Sequence, residues 1–197
     1  MFKTITSQIV PIPRRDIDTD MIIPAEFLTC TVKTGLGKYL FAHVRESEKD
    51  FELMNRFNNS QIIVARQNFG CGSSREHAAW TLYDWGIRVI IAPSFSDIFK
   101  SNATKNGVLP VILPEKVVES ILNDAIYSDS YIVNVDLPDQ RVQLPTGNTH
   151  RFEIDSYPKT LLLKGADDLD YLLSYAKEIR LFNEKHAGDI FFNVVNL

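Results

Sequence analysis

A glycine-rich turn between two apolar segments constrains the fold more than any other feature of this sequence. The apolar run at residues 62–65 predicts a strand buried on both faces, and residues 88–92 predict a second one. Residues 78–85 between them have the pattern of a helix that ends at Gly86, a residue that readily closes a helix in a left-handed conformation. Residues 68–77, Asn-Phe-Gly-Cys-Gly-Ser-Ser-Arg-Glu-His, form the turn before this helix. The segment therefore predicts a β-α-β unit whose turn opens at a helix N-terminus.

The turn has the composition of an anion-binding site. The first backbone N–H groups of a helix have no partner within the helix, and the aligned peptide dipoles add about half a positive charge there. Gly70 and Gly72 allow the backbone to turn sharply and to approach a ligand closely. Arg75 adds a cation that can hold a carboxylate through two parallel hydrogen bonds. The turn therefore predicts a carboxylate or a phosphate as its ligand.

A purely structural role for Ser73 is the alternative interpretation. Ser73 and Glu76 fit the S-x-x-E capping box, in which the serine only satisfies N–H groups of the first helical turn. Arg75 argues for more, because the helix dipole disfavours a cation in the first turn by about 0.3–1 kcal/mol. A local rule that is broken without visible compensation often marks a functional site. Both interpretations stay open on the sequence.

Composition bounds the class of protein and its surroundings. The 197 residues are 45% apolar, which predicts a sizeable core, and the net charge of −4 argues against nucleic acid as the main partner. The sequence has no signal peptide and no apolar run near the ~20 residues that cross a bilayer, so we expect a cytoplasmic protein without membrane contact. Cys30, Cys71 and four scattered histidines lack the spacing of metal ligands. We therefore expect no metal held by this chain alone.

The remaining pattern extends the β-α-β unit. Alternating strands and helices predict an α/β fold with a largely parallel central sheet flanked by helices, and the short strands after residue 130 predict additional antiparallel strands. The further strands are expected at residues 2–10, 108–113, 131–137, 141–144 and 150–154, and the further helices at 95–106, 115–125 and 167–185. We expect Pro11 to end the first strand.

The C-terminal part is predicted to be an appendage, from about residue 157, of a single domain that covers residues 1–197. Its apolar residues recur at helical spacing, which favours core packing, with contact to a partner as the alternative. These residues are Leu169, Leu172, Leu173, Ala176 and Ile179. The closing apolar run at residues 190–195 must pack on this chain or on another one.

An alternating acidic run precedes the first predicted helix. Asp16, Asp18 and Asp20 have the spacing of a calcium loop, but Met21 and Phe27 occupy the sixth and twelfth positions, where such loops need glycine and glutamate. The structural interpretation is a turn in which aspartate side chains accept hydrogen bonds from nearby N–H groups.

Several motifs in a fixed order resemble the small subunits of 3-isopropylmalate dehydratases, a family of the aconitase superfamily. The resemblance covers about residues 5–155. It rests on the turn at residues 68–78, Asp18-Thr19-Asp20-x-Ile22-Ile23-Pro24, Phe27-Leu28, Thr34-Gly35-x-Gly37, the segment 90–99 and Asn106-Gly107-x-Leu109-Pro110. It implies the swivelling β/β/α domain of that superfamily.

The resemblance also implies that this chain is one part of an enzyme. In the family, a separate large subunit carries a 4Fe–4S cluster with one iron open to substrate. The implied reaction interconverts 2-isopropylmalate and 3-isopropylmalate, both hydroxy-dicarboxylates, by loss and readdition of water in leucine biosynthesis. We therefore expect this chain to be inactive without its large subunit.

By the same resemblance, Ser73 would be the catalytic base, as an alkoxide stabilised by the helix N-terminus and Arg75. Ser74 and Arg75 would bind a substrate carboxylate, while Glu76 and His77 are interpreted as structural. Thr29 and Lys33 would contact the substrate, and the residues that support the site would be Gly70, Cys71, Gly72, Asp18, Thr19 and Asp20.

One segment departs from the family pattern and leaves the substrate's side group open. In the family, a basic residue commonly follows the pair that is Phe27-Leu28 here, whereas this chain has Thr29-Cys30-Thr31-Val32 and only Lys33 is basic. Residues 29–38 form a loop long enough to act as a lid. An apolar lid suits an isopropyl or methyl group better than a third carboxylate. A methylmalate–citraconate hydro-lyase subunit is therefore the alternative, and a homoaconitase subunit a weaker one.

Functions of two other classes are also compatible with the turn. Cys71 between two glycines could be the nucleophile of a hydrolase or amidotransferase with His77 as its base, although both lie in adjoining turns with poor mutual geometry. A non-catalytic domain that binds an anion is the other possibility.

Overall fold

The structure, a computed structural model, describes residues 2–29, 32–51, 54, 59–128, 130–166 and 168–186. The chain forms two compact units, Met1–Gly165 and Ala166–Leu197. We number the described elements in chain order. The strands are β1 (Thr4–Ile12), β2 (Ile62–Ala65), β3 (Val89–Ala92), β4 (Leu109–Ile112), β5 (Ile132–Asp136), β6 (Arg141–Gln143) and β7 (Thr149–Arg151). The helices are α1 (Thr19–Ile22), α2 (Glu76–Trp85), α3 (Asp97–Lys105), α4 (Glu115–Ile126), α5 (Ser156–Lys164), α6 (Asp168–Leu173) and α7 (Ala176–Lys185), with 3-10 turns at Ala25–Phe27, Gly37–Tyr39 and Lys49–Phe51.

A single sheet joins the seven described strands in the order β4-β3-β2-β1-β5-β6-β7. The four strands β1 to β4 pair in parallel, and β5, β6 and β7 continue from β1 in antiparallel pairing. All residues of β2 and β3 are buried, as expected of parallel strands covered on both faces. The predicted α/β architecture, a parallel sheet flanked by helices with an antiparallel addition, is confirmed.

Helices cover both faces of the sheet. Successive residues of a strand point to opposite faces, and Ile63 of β2 packs in one apolar cluster while Ile62 packs in another. The cluster around Ile63 includes Leu82 of α2 and Phe99 of α3, whereas the cluster around Ile62 includes Val118 of α4. The helix α2 and the turn before it therefore lie on the α3 side of the sheet.

The first strand continues through Pro11, so the expectation that this residue ends it is wrong. The pairing of β1 with β5 runs from Thr4 to Gln8, and the Ile9 N–H then donates to the Tyr131 carbonyl at 3.1 Å. The Pro11 nitrogen points to the same side as the Ile9 nitrogen, beyond the end of that pairing. The missing N–H therefore removes no ladder bond, and the other side of Pro11 pairs with β2.

The described part of the C-terminal unit contains two helices, α6 and α7, where one was expected. The Ser174 N–H donates to the carbonyls of Asp170 and Tyr171 at 3.1 and 3.2 Å, and this turn separates α6 from α7. The apolar side chains expected in a core are exposed, with Leu169 at 63% and Leu173 at 61%. The core-packing interpretation is therefore wrong for this segment, because helical spacing shows which residues share a face but not what covers it. The predicted packing of residues 190–195 lies outside the described residues.

None of the helices that the structure describes is both long and apolar enough to cross a membrane.

Candidate functional site

The glycine-rich turn follows β2 and is fixed by two neighbouring segments. The Gly70 N–H donates to the Ile17 carbonyl at 2.7 Å, and the Phe69 N–H donates to the Ser94 carbonyl at 3.1 Å. The Ser96 hydroxyl, which also caps α3, donates to the Gly70 carbonyl at 2.7 Å. The turn is thus held between the segment before α1 and the segment that joins β3 to α3.

Both glycines of the turn are required by its geometry. Gly70 has φ +74°, and a Cβ atom there would lie 2.1 Å from Cγ of the buried Phe99. Gly72 has φ +86°, and a Cβ atom there would lie 3.4 Å from the Cβ atom of Asp18, which leaves space for it. At position 70, both the backbone conformation and the packing exclude residues other than glycine, whereas at position 72 mainly the conformation does so.

The acidic segment before α1 is joined to the turn. Asp18 caps α1 by accepting a hydrogen bond from the Met21 N–H at 2.7 Å, which confirms the structural interpretation for this aspartate. The Thr19 N–H donates to the Cys71 carbonyl at 3.0 Å, and the Thr19 hydroxyl donates to the Ser73 carbonyl at 2.9 Å. Thr19 is buried, so this contact ties the backbone of Ser73 to the core.

The capping box is absent, so the alternative interpretation of Ser73 as a helix cap is wrong. The helix α2 begins at Glu76, and Arg75 is its N-cap residue, without a capping bond from its side chain. The Glu76 carboxylate accepts hydrogen bonds from Asn106 at 2.9 Å and from Trp80 at 3.2 Å. The carboxylate that a capping box would use is therefore bound to other side chains. Ser73 and Ser74 lie just ahead of the helix with exposed side chains.

The Arg75 guanidinium is oriented by Asp20. Its Nη1 donates to the Asp20 carboxylate, and only 19% of the Arg75 side chain is exposed, against 55% for Asp20. A guanidinium has five N–H donors in a planar fork, so one ion pair leaves donors available for a second carboxylate. The structure therefore gathers Ser73, Ser74 and Arg75 with the segment 18–20 at the start of α2.

Asp16 and Asn68 belong to the same region, although neither was predicted as a site residue. Both have left-handed backbones, with φ +55° and +64°, a conformation in which aspartate and asparagine are enriched among non-glycine residues. The Asn68 side chain donates to the Asp16 carboxylate at 2.7 Å. That conformational tolerance is the one signal by which the sequence could have indicated this pair.

The Cys71 thiol has the opposite electrostatic setting to that of a nucleophile. Burial raises the pKa of Cys71, and the carboxylates of Asp18 and Asp16 raise this pKa further. A reactive cysteine has a lowered pKa, because the thiolate is the attacking species. The site therefore argues against a cysteine-dependent hydrolase.

Lys33 is held beside α2 by side chains that the sequence did not indicate. Its Nζ donates to the Asn106 side-chain oxygen at 2.9 Å and lies 5.3 Å from the centre of the Trp80 ring. Thr29 is exposed at the end of the described segment 2–29. The roles predicted for Thr29 and Lys33 toward a substrate stay predictions.

Among the residues that the structure describes, no three His, Cys, Asp or Glu side chains are grouped so that they could hold a metal ion.

Two known protein families match successive parts of the chain. Residues 1–116 match the family of aconitase C-terminal domains, and residues 119–156 match the family described as LeuD_N. The chain is 45% identical to the 3-isopropylmalate dehydratase small subunit of Francisella philomiragia, over 95% of this chain and 98% of that one. It is 41% identical to the small subunit of the same name from Magnetococcus marinus, over 95% of both chains.

A solved structure of 3-isopropylmalate dehydratase from Methanocaldococcus jannaschii superimposes with a TM-score of 0.67 at 29% identity, covering 92% of this chain and 98% of that one. Since identities of 41–45% extend along nearly its whole length, the chain belongs to the family of 3-isopropylmalate dehydratase small subunits in the aconitase superfamily.

Proposed function

We propose that this chain is the small subunit of a hydro-lyase that interconverts 2-isopropylmalate and 3-isopropylmalate in leucine biosynthesis, in complex with a large iron–sulfur subunit. The observation that carries the proposal is the start of α2, where two exposed serines adjoin a mostly buried guanidinium. A dicarboxylate substrate needs such a cation, and proton removal next to its carboxylate needs a base within reach.

In this proposal, Arg75 binds a substrate carboxylate with the donors that Asp20 does not use, and Ser74 adds a hydroxyl. The Ser73 oxygen takes the proton from the carbon next to that carboxylate during elimination and returns a proton during rehydration. A serine can do so only as an alkoxide, and the guanidinium and the helix N-terminus both favour the charged form. The hydrogen bond from the Thr19 hydroxyl to the Ser73 carbonyl keeps the backbone of the base in place.

The described residues of this chain do not fit an iron–sulfur cluster. Of the two cysteines, Cys71 lies in the part of the chain that the structure describes, and its pKa is raised. In that part, no three His, Cys, Asp or Glu side chains are grouped as metal ligands. We therefore place the 4Fe–4S cluster on the large subunit, where it would act as a Lewis acid toward the departing hydroxide. It follows that the purified chain has no activity alone, and we place the assembled enzyme in the cytoplasm.

Reconstitution tests the proposal. The chain is mixed with an iron–sulfur large subunit, and hydration of isopropylmaleate is followed by the loss of alkene absorbance. We expect turnover in the mixture and none with either subunit alone. Ser73→Ala should lower kcat by about 10²–10⁴-fold, the usual contribution of a positioned base, while the complex still forms in gel filtration. Ser120→Ala, an exposed serine of α4, serves as the control and should leave the rate unchanged.

A normal rate for an assembled Ser73→Ala complex would show that Ser73 is not the base. The same complex decides the side group when isopropylmalate, citramalate and homocitrate are compared. A higher kcat/KM for citramalate would identify a methylmalate–citraconate enzyme, and a higher value for homocitrate would identify a homoaconitase subunit.

A further inference from the structure

A hydrogen-bonded cluster joins the loop at residues 32–36 to the helices α2 and α3. We call it the Asn106 clasp, and it consists of Lys33, Glu76, Trp80 and Asn106. The Asn106 side-chain oxygen accepts from the Lys33 ammonium at 2.9 Å, and its nitrogen donates to the Glu76 carboxylate at 2.9 Å. Trp80 also donates to Glu76, at 3.2 Å, and its ring lies beneath the Lys33 ammonium.

The chemistry of the clasp requires an amide at its centre. The Asn106 side chain accepts from a cation on one side and donates to an anion on the other, and its nitrogen also donates to the Asn102 carbonyl at 2.9 Å. Exchanging the amide oxygen and nitrogen would set N–H groups against the ammonium and an oxygen against the carboxylate. The orientation of Asn106 is therefore determined by its partners.

A second contact fixes the other end of the same loop. The Gly37 N–H donates to the Asp84 carboxylate at 2.7 Å, and a Cβ atom on Gly37 would lie 2.7 Å from the Trp85 nitrogen. Glu76 and Asp84 are eight residues apart on α2, a separation of about 12 Å along the helix axis. The loop is thus attached to α2 twice, at Glu76 in its first turn and at Asp84 in its last turn.

We propose that Asn106 is a positioning residue that, with Glu76 and Trp80, fixes Lys33 and thereby holds the loop at residues 32–36 beside the substrate-binding start of α2. Lys33 acts in this arrangement as the attachment point of the loop, and the side group of the substrate is met by the loop that Lys33 carries. The functional part of this inference rests on the proposed function, which supplies the substrate whose side group the loop would contact.

Limited trypsin digestion of the full chain tests the clasp without any turnover. Trypsin must take the Lys33 side chain into its own pocket, so cleavage after Lys33 reports how often the clasp is open. Asn106→Ala should accelerate cleavage between Lys33 and Thr34 by about three- to tenfold, as measured by mass spectrometry. Cleavage after the exposed Lys38, beyond the second attachment, should keep its rate.

Two comparisons make this digestion decisive. Lys105→Met removes a neighbouring charge that acts on Glu76 but leaves Asn106 in place, and it should not change cleavage after Lys33. An unchanged rate after Lys33 in Asn106→Ala would overturn the proposal. An equal acceleration after Lys38 would also overturn it, since the substitution would then have loosened the whole segment.

Kinetics of the reconstituted pair test the consequence for substrate. Lys33→Met and Asn106→Ala should each raise KM by about three- to tenfold and change kcat less, and the double variant should be no worse than the worse single variant. Fully additive effects would show that Asn106 does not act through Lys33. If the proposed function is wrong, the unsubstituted pair shows no turnover either, and the digestion alone decides whether the clasp exists.

Discussion

The glycine-rich turn at residues 68–75 and the loop at residues 32–36 adjoin the same helix but are held in different ways. The turn is fixed through its backbone, by hydrogen bonds to Ile17 and Ser94 and by bridge pairs to Asp18 and Phe95. The loop is attached at one end through the Lys33 side chain, and at the other through the buried Leu36 side chain and the Gly37 N–H, which donates to the Asp84 carboxylate. Backbone attachment makes the turn rigid and intolerant of change, whereas the exposed residues 32–35 of the loop can be replaced with less effect on the fold.

Burial follows the same division. Phe69 and Gly70 are buried in the turn, while residues 32–35 of the loop are exposed. A rigid turn suits the placement of a base and a guanidinium, because catalytic geometry tolerates errors of well under 1 Å. An exposed and adjustable loop suits the choice between substrate side groups. Substitutions in the turn, in the segment beside it and in the loop test this difference.

The largest effect is expected for Gly70→Ala. The new Cβ atom would lie 2.1 Å from the Phe99 ring in a backbone with φ +74°, so the turn must distort or Phe99 must leave its site. We expect the free energy of unfolding to fall by about 3 kcal/mol, measured by urea denaturation. Gly147→Ala is the matched control, because Gly147 has φ +89° with nothing within 4 Å of its Cβ position. It should cost about 1 kcal/mol. Equal losses for both glycines would contradict the idea that packing fixes the turn.

A smaller effect is expected at Asp18, which holds the segment opposite the turn. Asp18→Ala removes the cap of α1 and should lower the free energy of unfolding by about 1 kcal/mol. Asp18→Asn keeps a capping oxygen and should cost little.

Both substitutions at Asp18 should also lower the pKa of Cys71, because the Asp18 carboxylate raises it next after burial. The pH dependence of alkylation, measured in a Cys30→Ser background, reports this pKa. Asp16→Asn should lower it less. A higher pKa in Asp18→Asn would show that the carboxylate does not act on the thiol.

The smallest effect on stability is expected for Lys33→Met in the loop, within about 0.5 kcal/mol. The hydrogen bond from Asn106 is the main cause that lowers the pKa of Glu76, and the Trp80 bond and the Lys33 charge lower it further. The Glu76 pKa should therefore rise a little in Lys33→Met and more in Asn106→Ala, measured by NMR titration of the side-chain carbons.

Because the pKa of Glu76 is lowered in the folded chain, the free energy of unfolding depends on pH through this residue. Whatever stability Glu76 contributes is present above the pKa that it has in the unfolded chain, and it is lost as the pH falls through the lower pKa of the folded chain. A Glu76 pKa that falls in Asn106→Ala would contradict the contact on which the clasp depends.

Much of the fold could be predicted from local pattern. The central strands are short apolar runs, and the turn is defined by glycines that adopt positive φ. Asp18 is a short polar residue just before a helix, and it caps that helix as such residues commonly do. Ser73, Ser74 and Arg75 are neighbours in the sequence, so the turn holds them together, and the hydrogen bonds of Thr19 join the segment 18–20 to them. Their catalytic and binding roles remain predictions.

The helix start and the exposed C-terminal helices could not be predicted. Ser73 and Glu76 match a capping box, but Glu76 binds a side chain 30 residues away instead. The apolar residues of α4 and those of α6 and α7 have the same helical spacing, yet Val118 and Ile121 are buried while Leu172 and Ile179 are exposed. Periodicity defines a face, and only packing decides whether that face is covered.

The ordered motifs of the sequence indicate the family, and apolar spacing and glycine conformation predict the strands, the helices and the turn, because they act over a few residues. Which partners Glu76 and Lys33 bind depends instead on the packing of segments that are distant in the chain. Lys33 meets Asn106 across 73 residues of chain, and that contact exists only where α2 and α3 pack on the same face of the sheet.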